Sequence, residues 1–474
     1  MRHLIVVALT LGLLGAAAPV KDKAAKKAPA ATARSGDDSK LQIPYEKYQL
    51  ANGLEVMLHQ DKRLPLVAVN VWYHVGAYHE KPGRTGFAHL FEHMMFQGSA
   101  HVKDDSHFRI LETIGATDMN GTTSYDRTNY FETVPANQLE TALWMESDRM
   151  GFLLNALTQA KLTNQRGVVQ NERRQGLETA PYGLAEEKLW QTLFPAPHPF
   201  FGQVIGSMAD LDAATLDDVK QFFHTWYAPA NATLVVAGDF DVETAKKLIE
   251  KYYGSLPKVA KPQLPTVAPV KIEKETVLTW DEKVGTLPRV MMAWHSPAFF
   301  AEGDSTADLL SMVLAAGESS LLQKRLVREL EIAQSVESMQ ESNGAQSVYH
   351  VNITGRPGVD PKKLIAETDA VLEQVRQGKI TDSDVARVKN RQETFFLRQL
   401  QRLGGFGGRA DLLQTYNHYL GDPGYLAKDV ERYRKVTRDD LIKFAKQVLA
   451  NDKRVIMIAV PTQKTAAAAA EVKP

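Results

Sequence analysis

The strongest constraint on this chain is that it repeats itself. Thr215-Leu-Asp217-Asp218-Val-Lys-Gln-Phe222 recurs as Thr437-Arg-Asp439-Asp440-Leu-Ile-Lys-Phe444, 222 positions later. Leu64-Pro65-Leu-Val67 likewise recurs as Leu287-Pro288-Arg-Val290, at an offset of 223. Each copy of the longer segment reads as a threonine-capped helix followed by an apolar strand, Thr233-Leu-Val-Val-Ala237 in one and Val455-Ile-Met-Ile-Ala459 in the other. Two matches at nearly one spacing imply a duplicated unit. The 474 residues should therefore form two similar halves, and not the three domains that length alone suggests. Residues 256–269 carry four prolines in 14 positions and read as a stiff extended connection between them. Strands with alternating apolar residues at 54–59, 67–74 and 129–134 mix with helical stretches at 138–153 and 360–377. The strand pairs lie close together in sequence. That favours an α+β fold, in which each half is a mostly antiparallel sheet backed by helices, over a doubly wound sheet.

The ends read differently. Met1-Arg2-His3, the apolar run 4–14 and Gly15-Ala16-Ala17-Ala18 have the form of a secretory signal peptide over 1–18. The run is too short for a membrane span, which needs about 20 residues, so a periplasmic or secreted location is expected. Residues 19–41 and 465–474 have too little apolar content to pack and read as a disordered linker and tail. The two halves then occupy 42–262 and 263–464. With 56 basic and 56 acidic residues the chain has no cationic excess, which argues against nucleic acid as a partner.

Cysteine is absent, so a bound metal would have to be held by histidine and carboxylate. The densest chemistry is Gly86-Phe-Ala-His89-Leu-Phe-Glu92-His93-Met-Met-Phe96. On a helix, His89 and His93 share one face and can grip one ion, while Glu92 projects beside them. Leu90, Phe91, Met94 and Phe96 would seat that helix in the core. Two histidines and a glutamate clustered on an apolar helix each need a partner when buried, which points to a metal site. Two histidines leave a catalytic zinc one protein ligand short, and a carboxylate from a neighbouring helix should complete it. Glu172, in the helical stretch beyond Gly167, offers one. Its spacing does not by itself separate a ligand from a solvated charge.

His-x-x-Glu-His is the inverzincin order of a zinc peptidase motif. With its surroundings it resembles the pitrilysin (insulinase-type) family of zinc peptidases, in the manner of the mitochondrial processing peptidase. The resemblance runs through residues 86–98, through 115–135 with Asn120-Gly-Thr-Thr-Ser-Tyr-Asp126, through 166–172 and through 227–239. It implies one Zn2+ per chain held by His89, His93 and Glu172, with Glu92 as general base. It further implies that Asn120, Gly121, Thr122 and Thr123 pair with extended peptide substrate by β-augmentation. The chain would be half of a clamshell, acting as a zinc metalloendopeptidase on unfolded peptides. A non-catalytic or weakly active scaffold subunit is the alternative, since the family includes degenerate members.

Two departures from the family pattern stand out. A glutamate often found seven residues before the distal ligand is here Gln165, which cannot act as a charged acceptor behind the metal ligands. The Arg and Tyr that hold substrate in the second half are represented by Arg328 alone, with Gln334 or Ser335 in place of the tyrosine. The segment taken to match the zinc helix, 308–317, has no histidine. The missing tyrosine implies a heterodimer with a related chain that carries the Arg/Tyr pair. In a homodimer Gln334 or Tyr349 would have to substitute. His198, in Ala196-Pro197-His198-Pro199, reads as structural.

Overall fold

The duplication returns as two sheets with one topology. The computed structural model describes residues 41–263 and 266–462. The expected leader 1–18 and tail 465–474, with all of the 19–41 linker except Leu41, lie outside the described residues; Leu41 itself is buried in the core. The first sheet comprises β1 (Glu46–Gln49), β2 (Glu55–Gln60), β3 (Leu66–Tyr73), β4 (Thr117–Thr123), β5 (Thr128–Pro135) and β6 (Ala232–Gly238), in the order β1-β2-β6-β3-β5-β4. The second comprises β7 (Thr276–Glu282), β8 (Arg289–Ser296), β9 (Ala333–Glu341), β10 (Ser347–Gly355) and β11 (Val455–Pro461), in the order β7-β11-β8-β10-β9. Without β1 the two orders superimpose. In each sheet one pair is parallel, β2 with β6 and β7 with β11. The remaining pairs are antiparallel. The fold class is the expected α+β, with two mostly antiparallel sheets backed by helices.

The repeated Thr-x-x-Asp segments behave alike. Thr215 and Thr437 each cap a helix, and Asp218 and Asp440 return the bond to the capping amide. The expected strands 54–59, 67–74 and 129–134 correspond to β2, β3 and β5. The helical stretches correspond to Leu139–Ala156 and Pro361–Arg376.

β3 and β6 are buried along almost their whole length, so the first sheet must be covered on both faces. One cover comes from the other half of the chain. Helix Arg409–Leu420 lies on β3 and β6, where Gln414 Nε2 donates to the carbonyls of Asn70 (2.9 Å) and Thr233 (2.8 Å). In return, helix Gly183–Leu193 of the first half lies on β8 and β11, and His295 Nε2 bonds the Leu193 carbonyl at 3.0 Å. Strand alternation sorts the two sides: Leu234 and Val236 join the first half's core, while Val235 and Ala237 join the core with Trp294 and Tyr349. Each half thus lends a helix to the other, and this exchange locks the two halves together.

Candidate metal centre

Helix Phe87–Met94 carries the histidines, and its start is fixed by backbone crowding. Gly86 caps it at φ 85°, a left-handed conformation, and a Cβ there would lie 2.7 Å from the Ile205 carbonyl oxygen. Gly206 meets Gly86 equally closely, its own Cβ position falling 2.4 Å from Gly86 Cα. The free amides of the first turn are taken by Glu80, which accepts from Gly86 N–H at 2.9 Å and Ala88 N–H at 2.8 Å. Burial pushes the Glu80 carboxyl up to about 8, against the pull of those amides. Nothing in the local sequence marks Glu80 as this cap, because it lies outside the helix.

Phe87, Leu90, Phe91 and Met94 face the core, which leaves His89, Glu92 and His93 on the opposite side. Helix Gln159–Arg173 packs against it. It starts earlier than the sequence suggested, at a Thr158 cap, so Glu172 lies in its last turn. Arg173 ties this helix to the first: it donates to the Gly206 carbonyl at 2.9 Å and to both Glu187 oxygens at 2.9 Å. Through Gly206, the end of one helix is registered on the start of the other.

The result is a triangle of ligand atoms. His89 Nε2 and His93 Nε2 are 3.4 Å apart, and Glu172 Oε2 is 3.7 Å from the first and 3.4 Å from the second. Tetrahedral zinc with bonds of about 2.0–2.1 Å separates its ligands by about 3.3 Å. The donor set and the spacing both fit a zinc ion. Among the described residues this is the one group of three or more such side chains with metal-holding geometry. Burial lowers His89 to about 3, helped by neighbouring His93, and so keeps it in the neutral form a metal needs. His93 is also buried, but the combined pull of Glu172, Glu92 and Gln165 outweighs that and raises it. Glu172 is desolvated as well, and the combined pull of His93 and His89 lowers it. Gln165 is buried close enough to His93 to help raise it. It supplies an amide oxygen where a carboxylate would add charge.

Glu92 stands outside the triangle. Burial raises its carboxyl, opposed by Thr123, whose hydroxyl donates to Oε2 at 2.7 Å. Thr123 belongs to β4, an edge strand whose one sheet neighbour is β5. Gly121 and Thr123 face the histidine helix; a Cβ at Gly121 would sit 3.1 Å from Glu92 Cγ. Asn120 and Thr122 lie on the alternate positions, Thr122 donating to Asn129 Oδ1 at 2.5 Å and Asn120 Oδ1 accepting from Gly121 N–H at 2.9 Å. Among the described residues, β4 therefore presents a backbone edge with no strand neighbour beside the triangle. Spacing in sequence could not reveal the Thr123–Glu92 bond, which joins residues on two different elements.

Among its described residues the second half holds no such centre. Helix Asp304–Ala315 is the counterpart, capped by Gly303 at φ 93°. Counted from the capping glycines, Thr306, Leu309 and Leu310 stand where His89, Glu92 and His93 do. Arg328 is exposed, 3.5 Å from Glu318 and on a turn packed against β9, and is not part of the triangle. Tyr349 does not suit the role considered for it: it is fully buried against Trp294 and Phe444, with its hydroxyl taken by Ser338 at 3.2 Å. Gln334 is exposed. Glu178 is paired with Arg173 at 3.6 Å, and His198 caps the turn Pro199–Phe201.

On the counterpart helix, Asp308 is pushed up to about 7 by burial and by nearby Asp304, while accepting from the Tyr433 hydroxyl at 2.6 Å. An unfolded Asp titrates near about 4, so the folded state holds this proton more tightly. Its contribution to stability is complete below about 4 and fades as pH rises to about 7. Asp308→Asn should lose less stability than the parent between pH 4 and 8, read as the shift in thermal midpoint. A parallel decline in both proteins would contradict the assignment.

The chain resembles known proteins over most of its length. Residues 55–196 match the family model described as Insulinase (Peptidase family M16), and residues 213–392 match the one described as Peptidase M16 inactive domain. The zinc protease PqqE of Helicobacter pylori is 29% identical over 368 residues, covering 77% of this chain and 82% of that one. A solved protease from Helicobacter pylori superimposes with a TM-score of 0.82 at 27% identity, over 88% of this chain and 100% of that one. The periplasmic protease PqqL from Escherichia coli shares the fold, with a TM-score of 0.70 at 19% identity, over 91% of this chain and 48% of that one.

Proposed function

The chain belongs to peptidase family M16, and from that premise we propose that it is a zinc metalloendopeptidase that cleaves unfolded peptides. The observation that carries this reading is the His89–His93–Glu172 triangle with Glu92 held beside it. In it, residues 42–262 form the metal-binding half and 263–464 its metal-free counterpart. His89, His93 and Glu172 hold one Zn2+, which would polarise the scissile carbonyl and the attacking water. Glu92 takes the proton of that water and returns it to the leaving amine. Its burial favours this role, since a carboxyl raised above its usual range is closer in proton affinity to the groups it serves. The free edge of β4 at Asn120–Thr123 pairs with the peptide backbone and holds it extended beside Glu92.

Thr123 fixes the rotamer of that base. Thr123→Val should lower kcat roughly tenfold, the worth of one hydrogen bond to a charged group, with zinc content unchanged, and Thr123→Ser should restore it. Equal kcat in the valine variant would show that Glu92 needs no such support.

The substrate-holding part is incomplete in one chain. Arg328 is exposed, with Glu318 as its partner at 3.5 Å, while Gln334 or Ser335 stands in place of the tyrosine and Tyr349 is committed to the core. This supports a clamshell heterodimer in which a related chain supplies the Arg/Tyr pair, with a homodimer as the alternative. The competing reading, a weakly active or non-catalytic scaffold subunit, draws on the same missing tyrosine. A periplasmic location accords with the described PqqL relative and with the leader-like start of the sequence. No described helix is long and apolar enough to cross a membrane. The deciding experiment measures cleavage of unstructured peptides by the zinc-loaded chain, alone and mixed with a histidine-free relative, before and after chelation. Chelator-sensitive cleavage supports the peptidase. Peptide or partner binding without cleavage under every condition selects the scaffold.

A further inference from the structure

The loop 402–408 joins helix Asp382–Gln401 to helix Arg409–Leu420 and is built for close approach to the first sheet. A Cβ at Gly404 would fall 2.3 Å from Thr133 Oγ1 and 2.9 Å from Ala68 Cβ, so only glycine fits. Gly405 and Gly407, at φ 68° and 66°, bracket Phe406 in left-handed turns. The backbone is pinned as well: Gly407 N–H donates to Asp411 Oδ2 at 2.9 Å, and Arg402 Nη1 to the Phe406 carbonyl at 3.0 Å. Gly405 reaches β4 itself, its Cβ position 3.3 Å from Asp118 Cγ. Phe406 packs edge-on against Phe131 of β5 with ring centroids 4.9 Å apart, yet stays 48% exposed. The pinned loop therefore holds a half-exposed aromatic ring over β5, one strand in from the free edge of β4.

Register says what that ring would meet. Phe131 pairs with Asn120, and laterally aligned residues of a sheet share a face. A peptide strand added to β4 places the side chain level with Asn120 on that same face, about 10 Å from Phe131 across β4, a gap that a bulky side chain and the half-exposed Phe406 ring together would span. Asn120 is three residues from Thr123, about 10 Å along a strand, so this position lies close to the scissile bond. Resting on the peptidase reading above, we propose that Phe406, lent by the second half, is a specificity-determining residue. Braced on Phe131, it walls an apolar subsite that selects peptides carrying a bulky aliphatic or aromatic residue three positions from the one opposite Thr123.

The test compares parent, Phe406→Ala and Phe406→Leu on a peptide series in which each position in turn carries Phe, Leu, Ser or Gly. The expected result is a preference for Phe and Leu at one position. That preference should fall on the order of tenfold or more in kcat/KM in the alanine variant and be kept in the leucine variant. Peptides with Gly there should be cleaved equally by all three. An unchanged profile, or a uniform loss across all peptides, overturns the assignment. A second arm does not need turnover: labelled Phe and Gly peptides are titrated by fluorescence anisotropy into Glu92→Gln and Glu92→Gln/Phe406→Ala. Tighter binding of the Phe peptide, abolished with Phe406, supports the subsite even if cleavage is absent and the peptidase reading fails. Equal binding of the two peptides by Glu92→Gln sinks it.

Discussion

Glu92→Gln keeps its zinc and loses peptide hydrolysis by about 10²- to 10⁴-fold, the usual worth of a positioned general base. The expectation follows from where the carboxylate sits. The three ligand atoms of His89, His93 and Glu172 lie within 4.8 Å of one another, and Glu92 is not among them. Its Oε2 is held by Thr123 on the strand side of the helix. An amide of the same shape can keep that hydrogen bond and leave the triangle undisturbed, but it cannot accept a proton. Metal analysis beside a peptide-cleavage assay reads both halves of the statement. Loss of zinc from the variant would place Glu92 in the ligand set and dissolve the division of labour argued above.

Glu172→Gln has the opposite signature. Without its carboxylate the site is two histidines on one helix, which falls short of the three protein ligands of a catalytic zinc centre. Even groups that only support a ligand typically change affinity by about 10- to 100-fold, so loss of the ligand itself should cost at least about 100-fold. The loss of negative charge also leaves His93 without the partner that raises its proton affinity. Two readouts separate this from unfolding. Competition with a chelator gives the affinity, and the rise in thermal midpoint on adding zinc, present in the parent, should vanish in the variant. The fold should survive, because helix Gln159–Arg173 is anchored through Leu162, Val169 and Arg173 and not through Glu172. Parent-like zinc affinity in Glu172→Gln would mean that the third ligand lies elsewhere.

The duplication, the helix–strand units and the histidine pair were legible in the linear sequence for one reason: each is a local pattern. Capping boxes act over three residues, strand alternation over two, and His89 and His93 share a face because the helix turns every 3.6 residues. The choice of Glu172 was not local. Seventy-nine residues separate it from His93, and spacing alone left it equivalent to any solvated glutamate. Its place beside the histidines depends on the contact of Gly86 with Gly206 and on the bond from Arg173 to that same turn. The same limit explains why Glu80, the grip of Thr123 on Glu92 and the crossing of helices Gly183–Leu193 and Arg409–Leu420 between the halves left no trace in the sequence pattern. It also decided against Tyr349, which by residue type could hold a substrate but lies on an inward position of β10. Sequence determined which groups this protein has and on which local face each one lies. Tertiary structure decided which faces meet, because burial on both sides of a sheet is satisfied only by elements far apart in the chain.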